Sequence, residues 1–145
     1  MSGLDGNLGV LSIDVYGNDY WLLTELLLHL SPDILCVEYN PSFELRNIFS
    51  PYKRNYSRHA EHPSGWYHGA SITAFCGLVS PDYLLVENVG GVNLIFVRAE
   101  KMTKNLRAVS PENAYKEGKL RNRWSGTSAK EKWEAIKHLN YVEFD

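Results

Sequence analysis

Two acids, Asp14 and Glu38, stand at or near the ends of short apolar, β-branched runs: GVLSIDV over residues 9–15 and ILCVEY over residues 34–39. A carboxylate that ends a buried strand is costly to desolvate unless it is paired or used. Acids placed this way can act as a general base, share a proton or bind a divalent cation. Two carboxylates with no third ligand are a weak metal signal, and no metal is assigned. Gly17, Asn18 and Asp19 follow the first acid and Asn40 follows the second. Tyr67, His68 and Ser71 precede a helical pattern, and Asn88 and Asn93 flank Gly90-Gly91. Amides, hydroxyls and an imidazole of this kind orient a polar small molecule. Asn18 and Asp19 have a second reading as caps of the helix that follows, and Gly17 as a tight-turn residue.

Other residues carry weaker signals. His59 and His62 make an H-x-x-H pair, but on a loop and without further ligands, which is poor for zinc. Cys76 lies in an apolar helical stripe and reads as core rather than as a nucleophile. Trp66, Tyr67, Tyr52 and Tyr56 gather around Arg54, Arg58 and His59 and could stack a planar or sugar-like substrate, or anchor their own loop. The run KEGKLRNRW, residues 116–124, is basic with one aromatic and is not by itself a nucleic-acid motif.

The elements that must position these residues follow from the hydrophobic period. Residues 9–15 and 34–39 read as strands buried on both faces of a parallel sheet. Between them, Tyr20, Leu23, Leu27 and Leu30 fall at helical spacing, with Ser31-Pro32 as the stop. Strand, helix, strand in this span is a βαβ unit. Residues 40–66 read as a long loop, of a length more often functional than merely connecting. Residues 69–79 read as a crossover helix. Residues 83–87 and 92–98 are strands joined by Asn88-Val89-Gly90-Gly91 in an antiparallel hairpin that closes the sheet. Residues 111–119 and 128–139 read as helices, the second with Ser128 and Glu131 at capping-box spacing. Ligands of open α/β sheets bind beyond the carboxyl ends of the parallel strands, and that rim collects Asp14, Glu38, Asn88 and the loops after them.

The 145 residues, 44% hydrophobic, suffice for one core. Residues 1–98 read as the sheet-bearing body and 99–145 as a helical extension packed on it. A net charge of −2 excludes a global nucleic-acid signature. Residues 1–97 carry 10 acidic and 4 basic side chains, and residues 98–145 carry 7 and 11. A basic tail of this kind either docks on the acidic body or, as the simpler expectation, is solvated. No apolar run approaches the roughly 20 residues of a membrane span, and the first residues do not form a secretory leader, so a cytoplasmic protein is expected.

LSIDVYGNDYW, residues 11–21, resembles a block of the FkbM-type, S-adenosylmethionine-dependent methyltransferases, which forms the fourth strand of their fold and the loop after it. VEYNPSF, Pro51-Tyr52, YHGAS, ENVGGVNLIFVR and SPENAYKEGKLRNRWSG resemble further blocks of that family in the same order. The resemblance implies an α/β fold: the C-terminal half of a Rossmann-like methyltransferase sheet, three parallel strands plus one antiparallel strand from a terminal hairpin. It implies S-adenosylmethionine as cofactor, with Asp14, Gly17, Asn18 and Asp19 beside it. It places Glu38, Asn40, Tyr67 and Ser71 nearer the acceptor, with Asp14 or Glu38 as base, and the position on the same rim adds His68, Asn88 and Asn93 to the residues expected to bind the acceptor.

Two departures follow. The family's glycine-rich donor loop would precede Gly9, and Gly3, Gly6 and Gly9 lack its spacing. Tyr16 stands where the family usually has a carboxylate. The expectation is methyl transfer to a hydroxyl or amine of a small molecule or saccharide, incomplete until another chain supplies the donor half. The alternative is a non-catalytic binding or association module. In either case the exposed edge of the first strand would support a homodimer or a partner chain, with no nucleic-acid or membrane partner.

Overall fold

The computed structural model describes residues 6–143, so the reading of Gly3 and the expectation that the first residues form no secretory leader fall on residues outside the described ones. The chain forms a mixed α/β structure. Strand β1 (Asn7–Ile13) leads through helix α1 (Asp19–Leu26) to β2 (Ser31–Glu38), and β1 and β2 pair in parallel. A short 3₁₀ turn (Pro41–Phe43), β3 (Ile48–Phe49) and helix α2 (Arg58–Glu61) occupy what the sequence presented as one long loop. Helix α3 (Ile72–Val79) then precedes β4 (Tyr83–Val89) and β5 (Asn93–Arg98). After a polar stretch come α4 (Pro111–Ala114), α5 (Lys119–Ser125), α6 (Ala129–Ile136) and β6 (Val142–Glu143).

The main sheet has the order β1-β2-β5-β4. β5 runs antiparallel to both its neighbours, β2 and β4, so β1, β2 and β4 are mutually parallel. The hairpin strand β5 is therefore spliced between its own partner and β2, a non-sequential arrangement that a simple meander does not give. All three parallel strands end on one rim, where Glu38 pairs in register with Asn93. At the opposite pole Arg98 bonds Asp33 at 2.6 Å, which ties the far ends of β5 and β2 together.

Burial explains which strands are central. Leu35, Val37, Leu94 and Phe96 on β2 and β5 are wholly buried. β1, expected to be covered on both faces, is an edge strand with only Ile13 fully buried, and Val10 is 59% exposed. Gly9, Val10 and Ser12 are exposed. Ser31 and Pro32, read as a helix stop, begin β2. The helix before them already ends in turns after Leu26.

α1 buries Tyr20 and Leu23, and the Tyr20 ring stacks on Phe49 with centroids 3.8 Å apart. α3 begins on Ser71, whose hydroxyl accepts from Ala74 N, and buries Ile72, Phe75 and Val79. Cys76, partly buried, packs against the same cluster, where burial pushes its thiol up to about 12 and disfavours the thiolate, in keeping with its reading as core.

The extension beyond Arg98 is not a solvated tail. Ala114 joins the main core, and Ile136 closes a second cluster with Phe43, Ile48 and Tyr67. β6 adds to β3, a pairing without sequence signal because each partner is two residues long. The expected helix over 111–119 stops at Ala114, and α5 forms instead over the basic run. The capping box of α6 is present, with Ser128 and Glu131 each accepting from the other's backbone N–H.

Candidate functional site

The rim loop after β1 is built around Asp19. It is 2% exposed, and its two carboxylate oxygens accept from Val15 N and Gly17 N, both at 2.8 Å. Asp19 therefore braces its own loop, and Asn18 does not cap α1: its side chain bonds Lys53 instead, donating to the Lys53 carbonyl at 2.7 Å. Gly17 is buried because the Tyr56 ring lies where a Cβ would stand, with the nearest ring carbon at 2.1 Å. These constraints force Tyr16 into the left-handed region, φ +58°, where a bulky residue is strained. Its ring is half exposed, and the Arg58 guanidinium sits over it at 4.8 Å.

Several other expected site residues also prove to be fastenings. Asn40 donates to the carbonyls of Trp66 and His68 and accepts from Ser42 N. Asn88 donates to Tyr39 Oη and to the Ala114 carbonyl and accepts from Gly91 N. Ser71 is the cap of α3, and Tyr67 packs in the second cluster with its hydroxyl bonded to the Asn140 carbonyl. Asn93 lies in the β5 ladder beside Glu38.

What converges on the rim is a cleft of about 290 Å³ between the loop after β1, the segment around α2 and the tail helices. Of the expected residues, Asn40 and His68 line it. Its other charged and aromatic lining is Tyr16, Arg58, His59 and Trp66 on the body and Arg121, Trp124 and Lys132 on the tail. The tail reaches the cleft because its backbone crosses the β4–β5 turn closely. Gly91, φ +70°, leaves the Glu117 carbonyl oxygen 2.5 Å from where a Cβ would be. Lys116 Nζ donates to the Asn88 carbonyl at 2.7 Å, and Tyr115 Oη to that of Pro41 at 3.0 Å.

The two acids occupy different environments. Asp14 is exposed just beyond β1, so the argument from a buried strand end does not apply to it, but its charge acts on both Arg121 and His68. Glu38 is buried beneath the cleft and forms an ion pair with Arg121, while its Oε2 has no hydrogen-bond partner. Burial holds the Arg121 guanidinium below its ordinary range, and the nearby Asp14 charge opposes that shift. His68 is 5% exposed and is pushed down to about 4, first by burial and then by Arg58, against the pull of Asp14. A neutral imidazole thus faces the cleft at pH 7, and its ring makes no hydrogen bond among the described residues.

Arg58, His59 and Trp66 stand close together in the loop sequence, but no sequence signal links them to Arg121, Trp124 and Lys132, which arrive from elements far along the chain. Tyr52, by contrast, lies 58% exposed against Trp21, away from this cleft. Among the described residues no group of three His, Cys, Asp or Glu could hold a metal ion, and no helix is long and apolar enough to cross a membrane. No family model, curated protein or solved structure matches the chain.

Of the four residues expected beside S-adenosylmethionine, Asp14 alone presents a free carboxylate. Gly17, Asn18 and Asp19 are engaged within their own loop. These four residues therefore form no cradle of free polar groups.

Proposed function

We propose that the chain is the acceptor-side part of an S-adenosylmethionine-dependent methyltransferase of Rossmann-like fold, with the rim cleft as its acceptor site. The observation that carries the reading is the sheet. Three parallel strands and one antiparallel hairpin strand, joined in the order β1-β2-β5-β4, agree with what the sequence resemblance requires of strands four to seven. The cleft lies beyond the carboxyl ends of the parallel strands, where α/β sheets bind ligands. S-adenosylmethionine would supply an electrophilic methyl group. The chain's own part is to hold the acceptor: the neutral His68 ring accepts a hydrogen bond from a hydroxyl or amine, and the rings of Tyr16, Trp66 and Trp124 offer faces for it to lie against.

The donor loop then belongs to a segment or partner chain that adds beside the free edge of β1, with a second copy of this chain as the other occupant of that edge. A non-catalytic binding module is the second reading. It is favoured by the internal engagement of Gly17, Asn18 and Asp19.

The test is a titration with S-adenosylmethionine of the chain and of its Asp14→Asn variant. Weak binding, with Kd on the order of millimolar, that is lost in Asp14→Asn supports the proposal. Binding indifferent to Asp14→Asn, or absent altogether, favours the binding module.

A further inference from the structure

The cations Arg58, Arg121 and Lys132 line the rim cleft, while the carboxylates that act on Arg121 and Lys132, Glu38, Asp14 and Glu117, lie outside its lining. Arg121 has Glu38. Lys132 is only 5% exposed, yet its partners are neutral: its Nζ donates to Asn122 Oδ1 at 2.8 Å and lies 5.9 Å from the centre of the Trp66 ring. Glu117 acts on Lys132 from a distance, but its carboxylate accepts from Asn122 Nδ2 and forms no ion pair with the lysine. Arg58 has the Tyr16 ring and no carboxylate within ion-pair distance among the described residues. No Asp or Glu lines the cleft itself. An ammonium withdrawn from water without an anion is costly and persists where something else requires it.

Burial and the neighbouring Arg121 charge hold Lys132 below its ordinary range, with the more distant Glu117 charge opposing them, and no carboxylate forms an ion pair with it among the described residues. The mouth of the same cleft carries a half-exposed Tyr16 and an 80% exposed Trp124. Large aromatic faces left in water beside cations suit a ring that brings its own negative charge.

From Lys132 and Arg58 facing one cleft without carboxylate partners, between Tyr16, Trp66 and Trp124, we infer that the site takes a small organic phosphate, a phosphomonoester carried on a sugar or nucleoside ring. The phosphate is the missing anion for Lys132 and Arg58, and the ring lies against the aromatic walls. Calling this ligand the methyl acceptor rests on the function proposed above. The binding itself does not.

The test is calorimetric titration of the full chain, with no methyl donor present, against glucose and glucose 6-phosphate, adenosine and AMP, and inorganic phosphate. At least one ring phosphate should bind ten-fold or more tightly than both its neutral counterpart and inorganic phosphate. Lys132→Met and Arg58→Gln should each weaken that binding at least ten-fold, and Trp124→Ala should weaken the ring phosphate but not inorganic phosphate. Lys132→Met should also raise the melting temperature of the unliganded chain, whereas a lysine kept for structure would lower it when removed. The inference is overturned if neither ring phosphate outcompetes its neutral counterpart, or if Lys132→Met leaves binding unchanged. Phosphate binding without donor binding would sink the methyltransferase reading alone. Methyl transfer to neutral acceptors with no phosphate preference would sink this inference alone.

Discussion

Arg121, on a helix of the C-terminal extension, forms an ion pair with Glu38, the buried carboxylate that ends β2. This pair joins the basic extension to the sheet and sets the floor of the cleft. Removing one member leaves the other charge buried, and breaking a buried pair in this way costs about 3–5 kcal/mol. The Arg121 side chain is 26% exposed, so Arg121→Met should cost about 2 kcal/mol. The double variant Glu38→Gln with Arg121→Met should cost less than the sum of the two singles. Urea midpoints at constant slope, arranged as a double-mutant cycle, check this, and additive effects would mean the two groups are not coupled.

Gly17 is required for space rather than for backbone conformation. A Cβ there would stand 2.1 Å from the nearest Tyr56 ring carbon, so Gly17→Ala should destabilise by about 1–3 kcal/mol, the usual cost of overpacking. Tyr56→Leu in the same chain should recover part of the loss. Thermal melts of the two variants decide it, since a glycine needed only for turn geometry would not be rescued.

His68 gives the fold a pH dependence of definite sign. Its folded value, about 4, lies below the ordinary 6.5. Below pH 6.5 the unfolded chain takes up a proton that the folded chain refuses, so stability falls as pH falls from 6.5 to about 4 and levels off beneath that. The loss amounts to about 3 kcal/mol. Between pH 7 and 4.5, His68→Gln should lose stability less steeply than the wild type. Parallel curves in urea titrations would remove His68 from this role.

Val10 lies on the free edge strand and is 59% exposed. Val10→Lys should leave stability within about 0.5 kcal/mol, as surface changes do. It should abolish any association of the chain through β1, read by sedimentation velocity. Association that survives the substitution would place the interface elsewhere.

Much of the fold was legible in the sequence because the apolar periods are clear. The strands expected over 9–15, 34–39 and around Gly90-Gly91 are present, although β1 ends at Ile13 before Asp14 and β2 begins already at Ser31, and the Ser128–Glu131 cap sits where expected. The free edge of β1 was expected, but the exposure of one of its faces was not legible, since an apolar run looks the same whether or not a layer covers it. Asn40, Asn88 and Ser71 were read as ligand groups, yet each proved to be consumed by backbone. A polar side chain near a strand end is as well suited to fastening a loop as to binding a substrate. Arg121 and Lys132 were missed because a basic, solvent-seeking pattern gives no sign that tertiary packing will bury it.

The central claim is that the rim beyond β1 is where a methyl donor meets this chain. Amide chemical-shift mapping with S-adenosylmethionine tests it most directly, because it reports position as well as affinity. The account predicts weak, saturable shifts, with Kd on the order of millimolar, centred on Asp14, Val15 and Tyr16 and fading toward the Arg98–Asp33 pole of the sheet. Shifts centred on that opposite pole, or none at saturating donor, would contradict it.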